Sequence, residues 1–166
     1  MKITISDSAL REGAGKGPDV FVGAVVDAIS RAVGGELNDQ SMERLSVAQL
    51  TLWGFSILHE EVMDGGFVQL IHNGYGPFFF RNPFAKVMAL WGLDDFSKML
   101  KKAGRLFHKR EEVLTRECTD EEFMALFEQN PEFDELDDAF VETEEEIVAK
   151  IAEYVDEHLD EFVEIN

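Results

Sequence analysis

The residues with the clearest potential for chemistry surround a pair of glycines in the middle of the chain. Two imidazoles, three carboxylates and two amides occur there: His59, Glu60, Glu61, Asp64, Gln69, His72 and Asn73. Carboxylates together with imidazoles can bind a divalent metal ion or carry out acid–base catalysis. The turn Glu60–Asn73 is therefore one candidate site, that of an uncharacterised metal-dependent enzyme.

The spacing of these residues does not follow a known catalytic motif. A zinc-protease HExxH motif would need a second histidine where Met63 stands. The chain has no glycine-rich phosphate loop, no GxSxG sequence and no credible catalytic triad. The same side chains could instead satisfy backbone groups of a helix–turn–helix beside the aromatic loop Tyr75–Phe80, which is also a candidate partner-binding module. We expect no catalytic residue, no metal and no cofactor.

The acidic end of the chain is the second candidate site. Its acids at 144 to 164 are Glu144, Glu145, Glu146, Glu153, Asp156, Glu157, Asp160, Glu161 and Glu164. On one helix they would lie along roughly 30 Å of axis, about one charge per 3.5 Å, close to the ~3.4 Å phosphate spacing of a DNA strand. Like charges at helical contact spacing would cost about 2 kcal/mol in total. This pattern suits either a solvated face that keeps the protein soluble or an imitation of nucleic acid.

A basic stripe precedes the acidic segment. Lys98, Lys102, Arg105 and Lys109 share one helical face, with Lys101 and Arg110 alongside. We expect these cations to pair with the acidic third, within the chain or across a dimer, because an independent nucleic-acid site would oppose the field of the molecule. Extensive pairing would leave less acid to face a partner.

The net charge of −19 is concentrated in one part of the chain. Residues 1–110 hold 12 acids and 13 bases, whereas residues 111–166 hold 22 acids and 2 bases. This asymmetry argues against a uniformly acidic halophilic surface and against direct nucleic-acid binding. A single cysteine excludes an intramolecular disulfide, and no signal peptide or membrane-spanning run is visible. The composition predicts a cytoplasmic globular protein.

The pattern of apolar residues predicts the helices that position these candidates. Residues 1–18 are rich in glycine and indicate a flexible arm, although Ile3 and Ile5 alternate as in a short strand. A helix covers residues 19–33, and a capping box of Ser46 and Gln49 begins an almost wholly apolar helix. We expect Gly65 to end that helix in the left-handed conformation, with Asp64 capping the next turn, residues 67–73.

The second half of the chain carries further helix signals. Asn82 caps a helix that ends at Gly92, and Asp94 opens one that runs to about residue 110. Capping boxes at residues 119/122 and 143/146 begin two more, with the break Asn130-Pro131 between them. The prediction is an all-α fold of six or seven helices in one domain, residues 19–166, whose acidic third is residues 111–166.

Several segments together resemble the bacterial DNA-mimic (DMP-type) family. The similarity lies in Leu45-Ser46 with Gln49, in Glu61 through Gln69 with Asn73, in Ala89 to Leu93 and in Ala103 to Phe107. The hallmark of that family is E-V-x-N-G-G-F-x-Q followed by an Asn and a glycine-containing turn. Asp64 stands where the family usually has Asn, and Asn73-Gly74-Tyr75-Gly76 replaces its usual Asn-Ser-x-Gly. The resemblance covers about residues 40–165.

The resemblance implies an all-helical domain and, for the characterised type, a dimer whose carboxylates occupy the DNA-binding face of a transcription factor. It indicates that the glycine motif is structural: Glu61, Asp64, Gly65, Gly66, Phe67, Gln69 and Asn73. It assigns no individual carboxylate, so the nine acids are candidates as a group. We expect a non-catalytic interaction protein that binds a basic DNA-binding protein but neither nucleic acid nor membrane, with a homodimer as one arrangement.

Overall fold

The computed structural model describes residues 1–166, and most of them are helical. Nine α-helices, one 3-10 helix at Leu159–Glu161 and two very short strands make up the fold. The elements are β1 (Thr4–Ile5), α1 (Asp7–Lys16), α2 (Pro18–Ala32), α3 (Asp39–Arg44), α4 (Val47–His72), α5 (Gly76–Phe80), α6 (Phe84–Leu90), α7 (Asp94–Thr115), α8 (Asp120–Gln129), α9 (Glu132–Glu157) and β2 (Glu164–Ile165). The all-α class and the short amino-terminal strand are confirmed.

The chain forms two units. The first unit comprises Met1–Ser56 and Glu145–Asn166, and the second comprises Ile57–Glu144. Helices α4 and α9 each contribute residues to both. No helix is both long enough and apolar enough to span a membrane.

In the first unit, β1 pairs in parallel with β2, Thr4 opposite Glu164 and Ile5 opposite Ile165. Helix α2 packs closely against α1 at Gly13. A Cβ atom at this position would lie 3.2 Å from the Cα of Phe21, so the glycine allows the close approach. The apolar face of α2 is buried, with Val25 and Ile29 fully inaccessible. Residues 1–18, where the sequence indicated a flexible arm, therefore hold a strand and a helix in this structure.

Gln49 connects the two ends of the first unit. Its Oε1 accepts from the Ser46 backbone N–H at 3.0 Å while the Ser46 hydroxyl accepts from the Gln49 N–H, which confirms the predicted capping box. Its Nε2 also donates to the carbonyl oxygens of Met1, at 2.7 Å, and Phe162, at 2.9 Å. Only 3% of Gln49 is exposed, so this buried amide has every polar atom satisfied.

In the second unit, the aromatic residues after the glycine turn pack into the protein rather than forming an open loop. Phe79 is 2% exposed and contacts Phe84 edge to face, with ring centroids 4.9 Å apart. The Phe80 ring contacts the Phe107 ring of α7 at a tilt, with centroids 5.4 Å apart. The Ser97 hydroxyl donates to the Ala85 carbonyl at 2.6 Å, which joins α7 to α6.

Helix α9 differs from the predicted last helix at both ends. It begins at Glu132, directly after the predicted break at Asn130-Pro131, and ends at Glu157. The capping box predicted at Thr143 and Glu146 is wrong: Thr143 lies inside the helix and its hydroxyl donates to the Ala139 carbonyl at 2.7 Å. The same S/T-x-x-E pattern occurs inside helices, where the hydroxyl bonds back to the preceding turn.

Candidate partner-binding surface

Helix α9 is amphipathic, and its buried face decides which carboxylates point outward. Phe133 and Phe140 are fully buried in the second unit, and Ile151 and Val155 are fully buried in the first. Their spacing is that of one helical stripe. Most of the acids between them therefore lie on the solvent side of the helix, whereas Asp137 and Glu144 are half-buried.

The structure places eight of the nine predicted acids at the surface and one elsewhere. Glu144 is half-buried in the second unit, where its Oε2 lies 2.8 Å from the Nε2 of His59. The other eight are exposed: Glu145, Glu146, Glu153, Asp156, Glu157, Asp160, Glu161 and Glu164. Glu144 is thus held by a partner within the chain, whereas the others face solvent in the first unit.

Three of the eight exposed acids have a partner in the chain. Glu146 pairs with Lys150 at 3.2 Å, and Glu164 pairs with Lys2 at 2.8 Å. Glu161 accepts a hydrogen bond from the Tyr154 hydroxyl at 3.1 Å. The remaining five form no ion pair or side-chain hydrogen bond, and we call them the free acids: Glu145, Glu153, Asp156, Glu157 and Asp160.

The expected regular ladder of charges up to residue 164 is wrong, because α9 ends at Glu157. Asp160 and Glu161 lie in the 3-10 helix, and Glu164 begins β2. Glu153, Asp156 and Glu157 still share about one turn of α9, where residues three or four apart are neighbours. These three, with Asp160 in the following turn, form the densest group of free acids in the first unit.

Sequence reasoning missed four exposed acids on the first half of α9 that form no ion pair or side-chain hydrogen bond. Asp134, Glu135, Asp138 and Glu142 belong to the second unit and are all exposed. Residues 134, 138 and 142 recur at intervals of four, so one helical face carries them. Their four-residue spacing is visible in the sequence, but the Thr143–Glu146 pattern predicts a helix that begins only after them.

The basic stripe on α7 has little pairing within the chain. Arg110 makes a bidentate contact with Glu132, and no ion pair joins Lys98, Lys102, Arg105 or Lys109 to any acid. The hydrogen bond from Arg110 lowers the pKa of Glu132 from 4.5 to about 2. Of the basic stripe and its neighbours, only Arg110 pairs with an acid of the acidic third. The intramolecular pairing that we expected therefore neutralises none of the free acids.

The glycine motif forms a hydrogen-bonded turn in the second unit. Glu61 accepts from the side-chain amides of Gln69 and Asn73, both at 2.9 Å. Gln69 also donates to Asp64 at 3.0 Å. Phe67 is fully buried. The sequence also allows, as an alternative to a metal site, that these side chains satisfy backbone groups. In the structure the amides and carboxylates bond to one another instead.

The double glycine differs in detail from the prediction. Gly66, not Gly65, has positive φ, 73°, and Asp64 does not cap the next turn. The Phe67 backbone N–H instead donates to the Asp137 carboxylate of α9 at 2.8 Å. A Cβ atom at Gly66 would lie 2.3 Å from the Asp137 Oδ2. Burial raises the pKa of Asp137 from 3.8 to about 6, against the effect of the Phe67 N–H and with a contribution from nearby Asp134 and Asp138.

The imidazoles of the candidate metal site do not converge. His59 bonds to Glu144, and the Nδ1 of His72 bonds to the Leu114 carbonyl at 3.0 Å. The other His72 nitrogen lies 3.8 Å from the sulfur of Cys118. No group of three or more His, Cys, Asp or Glu side chains is placed to hold a metal ion.

Comparison with known proteins adds an independent observation. A family model described as DMP19-like protein matches residues 43–158. DNA mimic protein DMP19 of Neisseria meningitidis serogroup B (strain ATCC BAA-335 / MC58) is 35% identical over 131 residues, which is 78% of this chain and 79% of that protein. The matched range includes the glycine turn and all acids of α9. The chain therefore belongs to the DMP19-like protein family.

Proposed function

We propose that the protein is a non-catalytic DNA mimic whose free acids occupy the DNA-binding face of a basic partner. The observation that carries the proposal is the set of five exposed carboxylates with no cation to neutralise them. Its relative in Neisseria meningitidis is named a DNA mimic protein. A transcription factor is the proposed class of partner.

The geometry of the free acids suits a surface that imitates phosphates. Glu153, Asp156 and Glu157 rise by ~1.5 Å per residue along α9, so their charges recur on the scale of the ~3.4 Å phosphate repeat of a DNA strand. Only the pairs 153/156 and 153/157 keep helical contact spacing, so their repulsion is about 0.6 kcal/mol. The fold tolerates this small penalty, and a basic partner would relieve it.

Several further features support an interaction role rather than catalysis. The carboxylates and amides of the glycine turn bond to one another, and both nearby imidazoles bond to groups outside it. We propose that this turn is structural. We also propose that the protein forms a homodimer and that it acts in the cytoplasm, together with DNA-binding proteins.

The proposal is tested by affinity chromatography on the immobilised protein. A lysate of the parent cell is applied at low salt, and the column is washed with a charge-matched polyglutamate and then with duplex DNA. We expect a DNA-binding protein to leave the column with the duplex, since both would compete for one basic face. Elution by salt should also be steep, because exposed charges are screened.

Two neutralised variants with equal change in net charge make the test specific. Glu153→Gln, Glu157→Gln and Asp160→Asn remove three free acids. Glu36→Gln, Glu43→Gln and Asp27→Asn remove three other exposed acids of the first unit. We expect roughly tenfold weaker retention for the first variant only. Equal weakening of both would mean that net charge, and not this surface, governs binding, and the proposal would be wrong.

A further inference from the structure

A groove in the first unit lies away from the acidic helix. It has a volume of about 550 Å³ and is lined by β1 with its flanking residues, by α1, by α2 and by Asn166, which follows β2. The lining residues used below are Thr4, Ala9, Ala28, Arg31 and Ala32. Its volume is within the roughly 300–1,000 Å³ of ligand pockets in proteins.

One wall of the groove is a free strand edge. The Glu164 N–H donates to the Ile3 carbonyl at 2.8 Å, and the Asn166 N–H donates to the Ile5 carbonyl at 3.0 Å. In a parallel pair, alternate residues direct their peptide groups to opposite sides. Because Ile3 and Ile5 face β2, the N–H and C=O of Thr4 face away from it. An unpaired edge of this kind is a template for another strand.

The groove is lined on its helical side by three small residues of α1 and α2. Ala9, Ala28 and Ala32 have short side chains, and all three line the groove. An added strand would lie about 4.8 Å from β1 in the direction of the hydrogen bonds. Binding an extended peptide at an exposed sheet edge is an established recognition mode, in which main-chain hydrogen bonds supply the affinity.

A cation at the groove indicates the charge of the peptide. The Arg31 Nε donates to the Asp27 carbonyl at 3.2 Å, which orients the guanidinium. Its terminal nitrogens form no ion pair, whereas Lys2, also at the groove, is engaged by Glu164 at 2.8 Å. Arginine binds carboxylates with two parallel hydrogen bonds where geometry allows.

We propose that this groove binds an extended peptide segment carrying a carboxylate, which pairs with the free edge of β1 at Thr4 and places its carboxylate on Arg31. The site is independent of the proposed mimicry, since none of the free acids lines it.

The test uses a synthetic probe, the peptide acetyl-Thr-Val-Thr-Val-Asp, titrated into the full-length ¹⁵N-labelled protein. Because main-chain hydrogen bonds carry this mode, a β-prone sequence with a terminal carboxylate is a sufficient probe. We expect amide shifts concentrated at Thr4, Ile5, Ala28 and Arg31. The same peptide ending in an asparagine amide, which carries no carboxylate, should bind about fivefold more weakly.

Two variants of one residue separate binding from folding. Thr4→Pro removes the outward N–H, and an edge strand tolerates proline where that N–H faces solvent. Thr4→Val keeps the N–H and the strand preference. We expect roughly tenfold weaker binding by Thr4→Pro and none of this loss in Thr4→Val. Unchanged amide shifts of Glu164 and Asn166 in the free variants would show that the β1–β2 pair persists.

Arg31→Gln should remove the preference for the charged peptide end while the shifts at Thr4 remain. The proposal is overturned by the absence of shifts at about 1 mM peptide, by shifts centred outside the groove, or by equal affinity of Thr4→Pro and Thr4→Val. Equal affinity of both peptide ends would overturn the role of Arg31.

Discussion

Asp137 is the residue whose replacement reports most directly on how the glycine turn is held. Its carboxylate accepts from the Phe67 N–H at the point where α4 resumes after Gly65-Gly66. Asparagine keeps an oxygen for that hydrogen bond but removes the charge. Alanine removes both. The comparison of Asp137→Asn with Asp137→Ala therefore separates the capping hydrogen bond from the buried charge.

The direction of the effect follows from the pKa of Asp137, which burial raises from 3.8 to about 6. The folded protein binds this proton more tightly than the unfolded chain, so the free energy of unfolding falls as pH rises through that window. A pKa of about 6 in place of 3.8 corresponds to roughly 3 kcal/mol of unfolding free energy. Because the side chain is only half-buried, screening by solvent reduces this to about 1–2 kcal/mol. The attraction of the ionised Asp137 to the start of the helix, about 0.3–1 kcal/mol, opposes this destabilisation.

Denaturant unfolding of the three proteins between about pH 4 and pH 7.5 measures this effect. At pH 7.5 we expect Asp137→Asn to be about 1 kcal/mol more stable than the native protein, with the difference vanishing as pH falls toward 4. Asp137→Ala should be less stable than Asp137→Asn at every pH, by about 0.5–2 kcal/mol. An asparagine variant that is less stable at pH 7.5 would refute the reasoning, because the charge would then stabilise the turn.

Two further predictions concern neighbouring features. Gly66→Ala should lower the free energy of unfolding by about 1–3 kcal/mol, since φ is 73° and the new Cβ would meet Asp137. The control Gly15→Ala, in an open position of α1, should be neutral or stabilising by up to about 1 kcal/mol. Equal losses in the two variants would contradict the role given to Gly66 in the turn. Arg110→Met should return the Glu132 pKa from about 2 toward its ordinary 4.5, as followed by NMR titration of the carboxyl carbon, and an unchanged value would show that Arg110 is not the cause.

The sequence predicted features whose partners are close along the chain. Ser46 with Gln49, Thr119 with Glu122, and the break at Asn130-Pro131 are all local, and the structure confirms them. The Phe67 N–H is capped by Asp137, 70 residues away in the sequence, and no local sequence pattern predicts this contact. Asp64 was the nearer candidate, but its carboxylate accepts from Gln69 instead.

Glycine and charge were the two misleading signals. Glycine in residues 1–18 indicated mobility, yet the absence of a side chain at Gly13 is what lets α1 approach α2. The acids of residues 132–142 are distributed around a helix whose buried side holds Phe133 and Phe140. Because these acids are so dense, the apolar stripe among them is hard to see in the sequence. The predicted acidic surface therefore leaves out residues 132–142 and continues as a regular helix past Glu157, where α9 ends.

The most direct test of the proposed mimicry is a competition between this protein and duplex DNA for one partner. The DNA-binding protein recovered from the column is bound to a fluorescent duplex containing its site, and this protein is titrated in while anisotropy and complex mass are recorded. The account predicts full release of the duplex, roughly tenfold less effective after Glu153→Gln, Glu157→Gln and Asp160→Asn. A ternary complex, in which the partner holds the duplex and this protein together, would contradict it.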